Sequence, residues 1–349
     1  MPGVQRLTVS QEEADLRLDR WFRRRIPGLG HGRLEKLLRK GEIRLDGARA
    51  KASDRVSAGQ VVRIPPLPDA DLDAKAPSRP KAAAPTPAEA AELETRILHM
   101  DEAVIAFNKP PGLPVQGGSG HQRHLDGMLD ALRFGARERP RLTHRLDKDT
   151  SGVMLLARSR AAAAALTRAF RARETRKIYW AALSGAPKPR RGVVRLALVK
   201  APGHGPGGAG EKMQCVPAEA ASRVEGAKGA VTEYVVLEAL GDRASWAALR
   251  PITGRTHQLR AHMAAIGCPI VGDGKYAASD PVDVARSPYL GGEISKKLHL
   301  HSRRLVVPHP NGDTMLSVEA PLPPHMERSW RALGWAEGAA AAPEDPFNP

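Results

Sequence analysis

Asp147 stands in the string Thr143-His144-Arg145-Leu146-Asp147-Lys148-Asp149-Thr150-Ser151-Gly152, with cations on both sides and an apolar run from Val153 to Ala157 behind it. Asp149-Thr150-Ser151-Gly152 alone is ordinary turn chemistry ahead of a buried strand. Turn chemistry does not account for His144 and Arg145 just before the aspartate. Cations beside a carboxylate stabilise its charged form, which suits a nucleophile.

Other side chains could complete such a site. Arg255 precedes Thr256, which reads as the N-cap of a helix from Thr256 to Ile266. Its cation therefore meets the positive end of a helix dipole, an arrangement that a nearby anion would relieve; an arginine facing water fits the same string. Arg260, further along that helix, could contact phosphate. Tyr179 falls in an alternating segment, where an aromatic is ordinarily core, yet its phenol makes the ring amphipathic. His299 and His301 would share a strand face and could bind a metal, but no companion ligands accompany them, and Leu298 and Leu300 read as core or pocket wall. The glycine-rich stretch from Gly203 to Gly210 lacks a following Gly-Lys-Ser or Gly-Lys-Thr, so it reads as a hairpin tip and not a phosphate-binding loop.

Positioning these residues falls to short strand-like runs separated by turns: Val104 to Phe107, Val153 to Ala157, Tyr179 to Ser184, Val231 to Leu240, Ser245 to Arg250 and His299 to Val307. Helical spacing is clear at Ala161 to Arg171 and Thr256 to Ile266. The expected class is α+β, on a mainly antiparallel sheet with flanking helices. Ahead of it, Leu16 to Ile26 and Gly32 to Lys40 read as helices, the second closed by Gly41; Ile43 to Leu45 leads into the hairpin signal Asp46-Gly47, and Val61 to Ile64 is a strand. Leu34, Leu37 and Leu38 would face a core, leaving Arg33, Lys36 and Lys40 on a basic face, which can also be no more than a solvated surface. The expected layout is a small N-terminal domain over 1–67, an Ala/Pro/Lys tether over 68–94, a large domain over 95–330 and a disordered tail over 331–349.

A net charge of +16 over 349 residues points to a polyanionic partner, because basic side chains displace counterions from phosphates. No apolar run approaches the roughly 18 residues of a spanning helix, and Met1 to Ser10 lacks a signal-peptide core, so a soluble cytoplasmic protein is expected. Cys215 and Cys268 lack zinc or disulfide-framework spacing and read as reduced thiols.

The string from His144 to Gly152 resembles the signature of the RluA-type pseudouridine synthases, His-Arg-Leu-Asp-x-x-Thr-Ser-Gly, at every fixed position. Family-like strings follow in order: Asn108-Lys109-Pro110-Pro111-Gly112 upstream, Lys177-Ile178-Tyr179-Trp180-Ala181 downstream, then Gly254-Arg255-Thr256-His257-Gln258-Leu259-Arg260. The resemblance implies a central eight-stranded mixed sheet with an RNA cleft along it. It implies Asp147 as the catalytic residue, Arg255 as its ion-pair partner, and Tyr179 as the ring that stacks on the target uracil and takes part in proton transfer. His144, Arg145, Arg260 and Lys109 are assigned to RNA binding. The first 65 residues resemble the small αL-type RNA-binding module first seen in ribosomal protein S-four, with Arg33, Lys36 and Lys40 holding structured RNA through phosphates. The activity implied is isomerisation of uridine in large-subunit ribosomal RNA or a pre-ribosomal particle, by a monomer with no cofactor, no metal and no membrane. Module and Leu298-His299-Leu300-His301 look closest to the C-type branch, although D-type members share the layout. Gln116-Gly117-Gly118-Ser119-Gly120, in place of a histidine-containing stretch, and Ala277, where glycine is common, depart from the pattern. A different RNA target, a noncatalytic assembly factor and a metal-dependent RNA nuclease or deaminase are the competing classes.

Overall fold

A computed structural model describes residues 3–68, 85–117, 123–201, 212–277 and 294–348. Residues 118–120 of the departing loop, and the glycine-rich stretch from Gly203 to Gly210, lie outside them. The chain divides into two compact units, 1–81 and 82–349.

In the first unit, β1 (Gln5–Thr8), β2 (Arg44–Leu45), β3 (Ala48–Arg49) and β4 (Val61–Ile64) form a four-stranded sheet in the order β1-β4-β2-β3. It packs with α1 (Leu18–Arg25) and α2 (His31–Lys40) around Leu18, Trp21, Phe22, Leu34 and Leu38. Against the sequence reading α1 is shorter at both ends and α2 begins one residue earlier, and β1 is a strand that the reading lacks. Asp46 (φ 48°) and Gly47 (φ 81°) supply the paired left-handed conformations of a tight hairpin turn. Gly41 (φ 74°) closes α2 by taking up the Leu38 carbonyl. With Leu34 and Leu38 buried, Arg33, Lys36 and Lys40 are exposed on the opposite face.

The second unit is α+β. Its strands are β5 (Ile97–Met100), β6 (Val104–Lys109), β7 (Arg141–Leu142), β8 (Ser151–Ala157), β9 (Arg176–Ser184), β10 (Arg191–Lys200), β11 (Met213–Pro217), β12 (Lys228–Leu240), β13 (Ala244–Pro251), β14 (Leu300–Pro308) and β15 (Met315–Glu319). They make one sheet whose main path runs β11-β10-β12-β13-β9-β14-β8-β6-β5, with β15 on β14 and β7 on β8. The described sheet thus has eleven strands where the resemblance implied eight; the short pairings of β7 and β15 are part of the difference. Every pairing is antiparallel except β14 with β8. β8 is buried throughout because its two faces serve different cores. Val153, Leu155 and Ala157 meet Ala162 and Leu166 of α5 (Arg160–Ala172), whereas Met154 and Leu156 meet Leu125 of the one-turn α4 (Leu125–Met128) and Leu129 beyond it.

Two expectations, a flexible tether and a disordered tail, are corrected within the described residues. The end of the 68–94 tether is helix: Thr86 and Glu89 form a reciprocal capping box with Pro87 at the first turn of α3 (Pro87–Glu94), and Leu93 is buried against Ile105 and Phe107. The described part of the tail is also packed at Trp335 and Phe347. Beyond α7 (Pro324–Ala332), Trp335 precedes α8 (Ala336–Ala341), is 2% exposed and meets Trp330 edge-on, while the Arg250 guanidinium covers Phe347 at 4.4 Å.

Candidate active site

The loop between β7 and β8 carries Asp147, and several contacts hold it. The Lys148 carbonyl accepts from Gly112 N–H (2.9 Å) and from Lys109 Nζ (2.8 Å), and Thr150 N–H returns to the Asp147 carbonyl (3.2 Å). At the far end, Ser151 Oγ bonds His301 Nδ1 at 2.8 Å, and Gly152 adopts φ 105° against the carbonyl of Ser302. A Cβ there would collide with that oxygen, so the motif needs glycine where β8 and β14 run side by side.

Lys109 is not an RNA contact. It is fully buried, and its three N–H groups go to the carbonyls of Pro110, Leu113 and Lys148 at 2.8–2.9 Å. Burial pushes its pKa down to about 7, while one acceptor for each N–H favours the ammonium. His144 lines the cleft, but its hydrogen bond and ring contact are structural. Its Nε2 accepts from Leu155 N–H at 2.9 Å, its ring packs on Phe170, and burial pushes it down to about 3, so it is neutral. Arg145 is exposed and donates to Thr256 Oγ1 at 3.1 Å.

Thr256 does not cap α6 (Gln258–Ala265), because the helix starts one residue too late for it; the cap position belongs to His257, at φ 51°. The turn ahead of α6 is fixed by buried Gln258. Its Oε1 accepts from Arg255 N–H (3.1 Å) and Thr253 Oγ1 (2.7 Å), and its Nε2 donates to Val231 O and Thr232 Oγ1. This geometry reverses the expected roles of two arginines. Arg255 points outward, exposed, with Nε 3.3 Å from the Gly229 carbonyl. Arg260 points inward: it forms a bidentate pair with buried Asp273 at 2.7 Å and 2.7 Å, and its Nη1 is 3.8 Å from Asp147 Oδ2. Burial opposes the Arg260 charge, but the Asp273 and Asp147 carboxylates outweigh it and raise its pKa.

Tyr179 lies on the face of β9 opposite Ile178 and Trp180, and it borders two cores without being sealed in either. Ser302 hydrogen-bonds its hydroxyl; burial nevertheless pushes the phenol up to about 12, so it stays protonated. Asp147, Tyr179, Arg260, Arg255 and Arg145 line one cleft of about 700 Å³, together with Lys177. Leu300 forms part of its wall, as expected. His299 and His301 are not in the cleft but buried, bonding Ser329 and Ser151 respectively.

Asp273, His257 and Tyr276 belong to this site, and the sequence reading gave none of them a role. Tyr276 Oη accepts from Met213 N–H at 2.8 Å and lies 3.1 Å from His257 Nδ1. Asp273 follows Gly272 (φ 76°), where a Cβ would strike the Lys297 carbonyl, so in sequence it looks like a turn residue only. His257 was in view inside the motif string, without a role.

A family profile described as RNA pseudouridylate synthase matches residues 103–265. The protein called ribosomal large subunit pseudouridine synthase C of Vibrio cholerae is 32% identical over 327 residues, spanning 93% of this chain and 96% of that protein. The Arabidopsis thaliana protein called RNA pseudouridine synthase 4, mitochondrial, is 31% identical across 90% of this chain and 78% of its own. Among solved structures, human RNA pseudouridylate synthase domain containing 4 shares 34% identity at a TM-score of 0.57, covering 70% of this chain and 95% of that one.

Proposed function

The chain belongs to the RNA pseudouridylate synthase family, and from that premise we propose that it isomerises specific uridines of large-subunit ribosomal RNA, with Asp147 as nucleophile. The observation that carries the assignment is the meeting of Asp147, Arg260 and Tyr179 in one cleft. Pseudouridine formation breaks the bond between ribose and uracil nitrogen, turns the base, and rejoins it through carbon five, with no net redox change and no water consumed. It needs a nucleophile that holds a fragment transiently, removal of the proton on carbon five, and a pocket that retains the free base. Arg260, itself held by Asp273, orients the Asp147 carboxylate. The Tyr179 ring is the platform on which the base turns, and its hydroxyl acts as a neutral phenol.

The target nucleotide must leave its stack, at a cost of a few kcal/mol that contacts along the strand offset. Arg145 and Arg255 are exposed at the cleft, and Arg171, Arg173 and Lys177 line it too, so this reading assigns the cations to flanking phosphates. In the first unit, Arg33, Lys36 and Lys40 dock structured RNA. The near full-length relation to large-subunit enzymes of the C type supports the choice of ribosomal RNA over transfer RNA, and a chain that only bound RNA would not need the Asp147–Arg260–Tyr179 set. On the same reading the protein acts in the cytoplasm as a monomer, without a cofactor.

The test is to incubate the protein with a large-subunit ribosomal RNA transcript and map carbodiimide adducts by reverse-transcription stops. New stops at discrete uridines are expected; stops in transfer RNA alone would replace the substrate, and no stops in either RNA or in precursor particles would overturn the assignment.

A further inference from the structure

A row of polar atoms runs from β11 to the catalytic loop. Met213 N–H donates to Tyr276 Oη, Tyr276 Oη lies 3.1 Å from His257 Nδ1, and His257 Nε2 lies 3.9 Å from Asp147 Oδ2. A phenol oxygen that already accepts from Met213 has its own proton to give, and Nδ1 is the acceptor in reach. The imidazole proton is then on Nε2, facing Asp147. Burial favours these forms: it pushes the Tyr276 phenol up to about 12 and holds His257 below its ordinary value. The Tyr276 ring also has the Arg260 guanidinium at 5.3 Å and the Lys212 ammonium at 5.6 Å from its centroid. His257 holds a left-handed backbone, which histidine tolerates better than most non-glycine residues, and its side chain is 9% exposed.

Resting on the reading of Asp147 as nucleophile, we propose that His257 is a positioning residue: held as the Nε2–H tautomer by Tyr276, it gives Asp147 a second donor beside Arg260. Both nitrogens face Oδ2, at 3.9 Å and 3.8 Å, beyond hydrogen-bond length in the free enzyme, an arrangement that leaves Oδ1 for the substrate. A carboxylate held by Arg260 alone could rotate about that contact. The 3.9 Å gap shortens to a hydrogen bond when RNA fills the cleft, as catalytic contacts that are long in the free enzyme commonly do.

Two substitutions separate the role from packing. His257→Gln keeps a donor near Nε2, whereas His257→Asn tolerates the left-handed backbone but loses that reach. His257→Asn should lower kcat about 30-fold with KM within about twofold, and His257→Gln should stay within about threefold of the native protein. Tyr276→Phe should lower kcat about tenfold in the native background and have no effect in His257→Gln, where no tautomer needs fixing. Nitrogen-15 NMR of the native protein should show His257 protonated on Nε2, with a tautomer mixture in Tyr276→Phe. A fully active His257→Asn, equal losses for Asn and Gln, or a native proton on Nδ1 would each overturn the inference while leaving pseudouridine formation intact. A native protein that forms no pseudouridine would overturn the functional reading and this inference with it.

Discussion

The place of Asp147 at the cleft was legible because its whole signature is contiguous, from His144 to Gly152, whereas the cation nearest to it was not. Arg255 and Arg260 lie in one short string, and spacing does not say which cation turns inward when the chain enters α6. The decisive groups are distant: Gln258 fixes the turn on Val231 and Thr232, and Asp273 draws Arg260 under the loop. The two arginines therefore make opposite predictions. Arg260→Lys gives up the bidentate geometry with Asp273, and kcat should fall on the order of 100-fold. Arg255→Ala should leave kcat within about threefold, weaken RNA binding, and reduce the slope of affinity against salt by about one. Single-turnover rates and binding titrations at several salt concentrations check both; the reverse ranking would restore Arg255 as the partner.

Elements were read best where their periodicity was strong. β8 is as its unbroken apolar run dictates, buried on both faces, and the leucine face of α2 follows helical spacing. α3 and the tail were misread because Ala- and Pro-rich composition outweighed local signals, the Thr86–Glu89 capping box in one and the apolar anchors Trp335 and Phe347 in the other. Lys109 was misread for a different reason: a lysine in a loop motif looks like a phosphate contact until three carbonyls are found around it. Lys109→Met should destabilise the second unit by on the order of 3 kcal/mol, since buried carbonyls lose their donor. Because the Lys148 carbonyl is among them, kcat should fall while RNA affinity is kept. Urea denaturation with parallel binding and kinetics checks this; weaker RNA binding at unchanged stability would return Lys109 to the RNA interface.

At the scale of the whole molecule, the net charge of +16 was the plainest sign of an RNA partner, but nothing in the sequence shows how many histidines the second unit buries uncharged. Burial pushes His301 down to about 3, and His262 and His299 to about 4. An unfolded chain takes up these protons as pH falls through about 6.5, and the folded chain does not until it reaches the lower values. Stability is thus fully present above about pH 7 and declines from about 6.5 towards 4, with each histidine adding up to about 1.4 kcal/mol per pH unit. The urea midpoint should be clearly lower at pH 5 than at pH 7.5; equal midpoints would contradict the buried neutral state. The central claim, that a cleft built around one carboxylate isomerises uridine, is tested most directly by comparing native protein with Asp147→Asn for pseudouridine yield and RNA affinity on the same large-subunit transcript. Modification by the native protein only, with affinities within a few-fold of each other, is the predicted result. An unchanged yield from Asp147→Asn would contradict the account.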